Sequence, residues 1–268
     1  MAKHLLYPDC LRGPRCGPMV VVLLLNVAAV LQAQTRPPLA SRVDPKAQAL
    51  LGRAIQALGG PAFLNMKTLT THGRIFSISD GVTQGFVMFD AAMEFPDKRR
   101  LSYGFGKKKS ITLINHGEQG WELDRYGIVE QNPRQTKAWA EANHFSLENF
   151  LRLCVHEQGV LLLAGGQDLV DNHPALIVEM VDAKQVQIKF YINSMNYLPI
   201  RLAYKTQNPK THEWEEYADS YSEYREFDGV QVPTHLIRYL NEHRVAETFR
   251  ISAKVNDVYP ADYFSPAR

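Results

Sequence analysis

Tyr217-Ala-Asp-Ser-Tyr-Ser-Glu-Tyr-Arg-Glu-Phe227, then Asp228-Gly229, then Val230-Gln-Val-Pro-Thr-His-Leu-Ile-Arg-Tyr-Leu-Asn241 is the stretch that decides the fold. Two runs rich in aromatic and β-branched residues flank an Asp-Gly pair. A two-residue hairpin turn of type I′ needs positive φ at both central positions, which Asp tolerates and Gly adopts freely. The stretch therefore predicts two antiparallel strands. Pro233 has no N–H to donate, so it predicts an edge or a bulge near the turn. The same period of two extends outward. Ile188, Phe190 and Ile192 alternate with Lys189 and Tyr191; Ile200, Leu202 and Tyr204 alternate with Arg201, Ala203 and Lys205; Phe249, Ile251, Ala253 and Val255 alternate with Arg250, Ser252 and Lys254. Each predicts a strand with one wet face.

A second β-run precedes these. Its strands are predicted at Thr68–Ser79, Thr83–Ala91, Arg99–Tyr103, Ser110–Asn115, Gly120–Asp124 and Ile128–Gln131. Turn signals separate them at Asp80-Gly81, Phe95-Pro96-Asp97, Gly104-Phe-Gly106, His116-Gly117 and Tyr126-Gly127. Linkers this short favour antiparallel neighbours, because a parallel return needs a long crossover. Asp44-Pro45 opens a helix as N-cap and first helical residue. Ala47, Leu50, Leu51, Ala54, Ile55 and Leu58 give it one apolar face, and Gly59-Gly60-Pro61 stops it. Between the β-runs, Arg134 to about Leu163 has helical character. Ser146 can cap its second part, and Ala164-Gly165-Gly166 breaks it. The expected class is α+β: a large antiparallel sheet of roughly ten strands, curled as sheets of that size are, with helices on its concave face.

The N-terminus predicts export. Lys3, Arg12 and Arg15 lead into the apolar run Met19–Leu31, which is long enough for a signal h-region and short for a bilayer span. Small residues at Ala29 and Ala33 offer a cleavage window; an uncleaved anchor is the alternative. The division is residues 1–33 as signal peptide, 34–43 as tether and 44–268 as a single domain. Cys10 and Cys16 precede the apolar run, so neither can be a lipidated cysteine following the signal. Removing residues 1–33 takes away three basic residues and one acid from a chain of net charge +2, leaving acids and bases in balance. Such a chain has no global attraction to nucleic acid. Cys154 alone survives processing, so no intrachain disulfide can form, and a packed thiol is expected there.

Several strings resemble the LolA-type outer-membrane lipoprotein-sorting proteins, in the broader form found as secreted proteins of unassigned role. They are Leu50-Leu51, Ala54 and Ala57-Leu58-Gly59-Gly60 leading to a strand ending near Gly73; Gly117-Glu-Gln-Gly120-Trp121; Tyr197-Leu198-Pro199-Ile200-Arg201; Tyr221 through Pro233; and Val255-Asn256 before Phe264-Ser265-Pro266. In this order they span nearly the whole mature chain. The resemblance implies a half-barrel sheet closed by helices, whose apolar interior shields acyl chains of lipids or lipoproteins in the periplasm. The same fold also implies sensor proteins with an envelope protein partner. No signature residue of those carriers is matched, so no functional position is carried over.

Alternation selects the cavity candidates Phe86, Met88, Leu101, Tyr103, Trp121, Phe150, Ile188, Phe190, Leu202 and Tyr204; the alternative is that these side chains fill a solid core. The segment Lys98-Arg99-Arg100 to Lys107-Lys108-Lys109 carries six cations in twelve residues on a hairpin. One reading is transient contact with a membrane surface or an acidic partner; the other is a solvated edge, with the acidic stretch Glu213–Asp228 pairing against it. His-Glu-x-x-His, Gly-x-Ser-x-Gly and Gly-rich phosphate loops are absent from the sequence. His144, His156, His173, His212, His235 and His243 do not fall at metal spacings. No catalytic residue, metal or cofactor is assigned. Three classes remain: a lipid or lipoprotein carrier, an envelope sensor or binding module using the same cavity, and a secreted hydrolase, which would need polar groups converging in the pocket.

Overall fold

The computed structural model describes residues 41–104, 111–208 and 211–266. The segment 1–33 expected as a signal peptide, the expected tether up to residue 40 and Lys107, Lys108 and Lys109 lie outside the described residues. The strands are β1 (Arg42–Val43), β2 (Thr68–Ser79), β3 (Val82–Glu94), β4 (Lys98–Gly104), β5 (Ile111–His116), β6 (Gln119–Asp124), β7 (Gly127–Glu130), β8 (Leu161–Val170), β9 (His173–Val181), β10 (Gln187–Asn193), β11 (Pro199–Gln207), β12 (Trp214–Phe227), β13 (Val230–Leu240) and β14 (His243–Val255). Among the described residues these fourteen, rather than the roughly ten expected, form one curved, unclosed sheet. Its order is β1-β8-β9-β10-β11-β12-β13-β14-β2-β3-β4-β5-β6-β7. Each pairing is antiparallel except the two-residue contact of β1 with β8. The sheet is thus two meanders, β2 to β7 and β8 to β14, joined where the last strand pairs with the first long one.

Local chemistry explains the turns. Asp228 and Gly229 adopt φ 51° and 81°, and Asp80 and Gly81 adopt 51° and 75°. Asp171-Asn172 (48°, 63°) and Asn241-Glu242 (48°, 66°) do the same. All four have the double-positive geometry whose twist suits a tight hairpin. Pro233 sits within β13 opposite Tyr224, next to Glu223 at φ 53° and away from the sheet edge. The register of β12 against β13 runs unbroken through it, so neither the expected edge nor a bulge is found there.

Helix α1 (Pro45–Ala57) begins as the sequence requires. Asp44 accepts from the Lys46 N–H at 2.9 Å, with Pro45 at the first position. After it, Gly59 takes φ 117° and a short helix α2 (Pro61–Leu64) follows. Gly59 has a steric reason as well: a Cβ there would lie 2.2 Å from the Gly229 carbonyl oxygen. The end of α1 therefore abuts the turn between β12 and β13, and Gln231 N–H donates to Leu58 O at 2.9 Å.

The middle helical region is shorter than expected. It comprises α3 (Pro133–His144), α4 (Leu147–Arg152) and a 3₁₀ turn at Cys154–His156. Leu161 to Leu163 belong to β8, and Ala164-Gly165-Gly166 is no breaker: the register against β9 shifts there and the strand continues to Val170. A glycine pair reads as a stop in a helix and as a bulge in a strand, and only pairing with β9 decides between them. Because β7 is one edge of the sheet and β8 lies next to the other, α3 and α4 form a chord between the two edges.

The main core lies between the helices and one face of the sheet. It joins Ala47, Leu51, Ala54 and Leu58 of α1, Phe63 of α2 and Leu147, Phe150 and Leu151 of α4 to Val178, Ile188, Phe190 and Leu202 of the strands. Leu69 of β2 and Val255 of β14 carry the core across the junction of the two meanders.

Candidate functional site

Register fixes which side chains share the helix-bearing, concave face. Leu202 lies opposite Asp219, and Asp219 opposite Arg238. Leu69, Thr71, Gly73 and Ile75 of β2 face Met93, Ala91, Phe89 and Val87 of β3, which in turn face Arg99, Leu101 and Tyr103 of β4. Along this face the packing changes. Phe150, Ile188, Phe190, Leu202 and Tyr204 are 9 % exposed or less and interlocked. Ring centroids lie 5.0 Å apart for Phe150–Phe190 and 4.6 Å apart for Phe145–Tyr204. These five expected cavity residues are core. Ile75, Val87, Leu101, Tyr103 and Leu113 occupy the same face over β2 to β5 but are only half-buried. Helices account for part of the gradient: α1 packs on β8 and β9, α2 on β13 and α3 on β6. Leu101 and Tyr103 thus lie on the half-buried stretch, a trough in the concave face.

Phe86 and Met88 do not. The register puts them on the convex face, where the Phe86 ring stacks 5.3 Å from Phe76 under Arg74. In Gly85-Phe-Val-Met-Phe89 both parities are apolar, so alternation could not choose between Phe86/Met88 and Val87/Phe89. Trp121 pairs with Ile114 and Glu130, also on the convex face, so it lies outside the concave trough.

The basic segment divides in the same way. Lys98 pairs with Glu94 on the convex side. Arg100 donates to Tyr263 O at 3.0 Å and lies over the Tyr263 ring. Arg99 points the other way, into the concavity. It donates to Asn115 Oδ1 at 2.7 Å, lies 5.6 Å from the Trp139 ring of α3, and its Nε has no partner among the described residues.

Arg238 also lies on the concave face. It grips Asp219 through two bonds of 2.8 Å. It sits deep among neighbouring groups while its side chain stays 51 % accessible, as a residue on a cavity wall does. The Asp219 carboxylate raises the Arg238 pKa above its ordinary value. Burial, and then the Arg238 charge, bring Arg99 down to about 10, so both are protonated at neutral pH. Burial, helped by the bond from its hydroxyl to Glu215 Oε2, pushes the nearby Tyr217 up to about 12. Arg250, also on this face, donates to Pro233 O at 3.1 Å. Arg238, Asp219 and Arg250 were missed in the sequence. The available signal was a charge on the apolar parity, as in Leu236-Ile-Arg238-Tyr-Leu240.

Two other clusters carry chemistry. Ser222 Oγ lies 3.0 Å from His235 Nδ1, and His235 Nε2 lies 2.7 Å from Glu247. The line has the members of a hydrolytic triad. It lies on the convex face, with His235 stacked on Phe249 and Ser222 exposed on the open sheet, away from the concave trough. His144, Cys154 and Glu157 bring ligand atoms within 4.8 Å of one another. Cys154 Sγ, however, donates to His144 O at 3.0 Å, and burial pushes its pKa up to about 12.

Two shallow hollows lie elsewhere. One of about 410 Å³ on the convex face is lined by charges including Arg201, Glu216 and Arg244. One of about 550 Å³ lies between α1 and Tyr197. Neither belongs to the trough.

This arrangement of strands and helices has counterparts among solved structures. A DUF1329 family protein from Desulfovibrio piger matches with a TM-score of 0.57 at 13 % identity, over 81 % of this chain and 96 % of that one. An outer membrane lipoprotein-sorting protein domain from Vibrio parahaemolyticus matches at 0.54 and 8 %, over 82 % and 97 %. A LolA superfamily protein from Nitrosomonas europaea matches at 0.50 and 12 %, over 82 % and 97 %. The chain has the LolA-like fold. No family model matches the sequence, and no curated protein matches it. At these identities the LolA-like likeness speaks for the fold alone. Within it, the concave face of this chain is close-packed under α1 and α4 and half-buried at Ile75, Val87, Leu101 and Leu113 over β2 to β5.

Proposed function

We propose that this chain is an exported, non-enzymatic carrier that shelters acyl chains of lipids or lipoproteins on the open part of its concave face. One observation carries the reading: the same sheet face is close-packed at Phe190 and Leu202 and left half-covered at Ile75, Val87, Leu101 and Leu113. A core that merely failed to close would expose apolar side chains at scattered places. Here they lie on four adjacent strands, with Tyr103, an apolar ring with a polar tip, among them. Acyl chains gain about 0.8 kcal/mol for each methylene removed from water, so an open apolar trough is enough and no covalent step is needed. The apolar N-terminal run supports export, and the lipoprotein-sorting name of one structural counterpart agrees with the cargo.

The test is titration of the full chain with a pyrene-labelled monoacylglycerol, a neutral probe. Saturable binding is expected for the wild type, with at least a tenfold loss in Leu101→Asp and Leu113→Asp, because a charge in the trough repels the chain. A folded wild type that binds no acyl probe overturns the proposal.

A further inference from the structure

His144 is the last residue of α3, Cys154 opens the 3₁₀ turn after α4, and Glu157 follows that turn. Helix α4 lies between them and folds the chain back, so the three meet without any short spacing motif in the sequence. Each is anchored. Cys154 is fully buried in the main core, and Glu157 N–H donates to Cys154 O at 3.2 Å. The His144 ring meets Phe145 edge-on at 4.7 Å, and Phe145 packs on Tyr204.

His144 Nε2 lies 3.5 Å from Cys154 Sγ and 3.6 Å from Glu157 Oε1. The ligand atoms of all three lie within 4.8 Å of one another. A tetrahedral zinc ion, with bonds of about 2.0–2.3 Å, spaces its ligand atoms about 3.3–3.6 Å apart. Two edges of such a tetrahedron are therefore already in place. The third needs at most a turn of the Glu157 side chain, which is 43 % accessible. His144 is 35 % accessible and the sulfur lies beneath, so an ion reaches it from solvent between the two outer ligands. Among the described residues no Lys or Arg stands within ion-pair distance of Glu157, whose one such partner is His144. The carboxylate is thus available to a cation.

We infer that His144, Cys154 and Glu157 form a site for one zinc-like divalent ion, held by an imidazole nitrogen, a thiolate and a carboxylate, with a fourth position open to water. This donor set suits zinc, whereas magnesium and calcium take oxygen ligands. Sγ now donates to His144 O at 3.0 Å. On metal binding that proton leaves to solvent, because a coordinated thiol is deprotonated outright. The ion then ties the end of α3 to the segment that enters β8, and so clips the helical chord to the sheet. Such a site neither needs nor excludes an acyl cargo in the trough.

The experiment uses the untagged full chain carrying Cys10→Ser and Cys16→Ser, which leaves Cys154 as its one thiol. Cobalt(II) is the spectroscopic probe and zinc the competitor. One cobalt per chain should bind, with a near-ultraviolet sulfur-to-metal charge-transfer band and the intense visible bands of a four-coordinate ion. Equimolar zinc should abolish both, and excess magnesium neither. Zinc at a hundredfold excess over its dissociation constant should raise the thermal midpoint by about 5–10 °C. Glu157→Gln and His144→Gln should each weaken cobalt binding at least about tenfold, since even partners outside the ligand set are worth that much. Both side chains are accessible, so the midpoint without metal should stay near that of the parent. Cys154→Ser should remove the charge-transfer band; if that core variant unfolds, the other two still decide. No charge-transfer band, displacement by magnesium, or an affinity unchanged in both Glu157→Gln and His144→Gln overturns the inference and leaves an ion pair above a packed thiol.

Discussion

Phe190→Ala separates a packed wall from a ligand surface. Phe190 is 0 % exposed and its ring meets Phe150, also 0 % exposed, at 5.0 Å; Ile188 and Leu202 beside it are 1 % exposed. No accessible space adjoins the side chain, so removal leaves a cavity that the helices above cannot readily fill. The cost is about 3–5 kcal/mol. With a urea slope of about 3 kcal/mol per M for a chain of this size, the midpoint should fall by roughly 1.3 M, with unfolding still in one transition. Leu101→Ala, on the half-buried trough, should lower the midpoint by less than half as much. The assay is equilibrium urea unfolding followed by tryptophan fluorescence, with acyl-probe titration of each variant under native conditions. Phe190→Ala should lose stability and keep most of its affinity; Leu101→Ala should do the reverse. A Phe190→Ala midpoint within about 0.3 M of wild type, together with weakened acyl binding, would refute the division of the face into core and trough.

Gly59→Ala should cost more than about 2 kcal/mol in the same assay, since it combines a φ of 117° with a Cβ 2.2 Å from a carbonyl oxygen; a change below 0.5 kcal/mol would show that the contact between α1 and the hairpin yields freely. Cys154, with its pKa pushed up to about 12, should resist a brief iodoacetamide pulse at pH 8 and be fully alkylated in urea, as read by mass spectrometry of its peptide; rapid native alkylation would contradict its burial. The Asp44 carboxyl is held below its usual value by the N–H groups of Lys46 and then Ala164. Its folded pKa is depressed, so its contribution is present above about pH 4 and lost as pH falls through the folded value. Asp44→Ala should accordingly melt below wild type at pH 7, with the gap narrowing at pH 2; a gap independent of pH would assign the effect to something other than the charged cap.

Much of the fold was legible because its determinants are local. Asp44-Pro45 names a helix start, and Asp80-Gly81 and Asp228-Gly229 name turns, through interactions within a few residues. The first β-run was read nearly strand for strand for the same reason. Legibility failed where a distant partner decides. Gly165-Gly166 is a bulge only because β9 runs past it, and Leu161 to Leu163 look helical without that neighbour. Gly85 to Phe89 offers two apolar parities, and pairing with Phe76 and Phe249 selects the outward one for Phe86. The site was hardest of all. Arg99 reads as one cation in a basic run until β4 is seen to send it inward, and Arg238 reads as a surface charge until its register with Asp219 puts it on the same face.

The order of the strands has a consequence for how the molecule comes into being. β2 leaves the ribosome well before β14, yet β14 is the neighbour that covers one of its two edges. Lys67 and Asn256, which bond across this junction, stand 189 residues apart. Until β14 has been made, a twelve-residue strand carrying Leu69, Ile75, Phe76 and Ile78 keeps a row of free amides and carbonyls at what will become the middle of the sheet. Its chief danger of sticking to other chains therefore belongs to its infancy, and a nascent chain lacking its final thirteen-residue strand is the form a holdase chaperone would most need to guard.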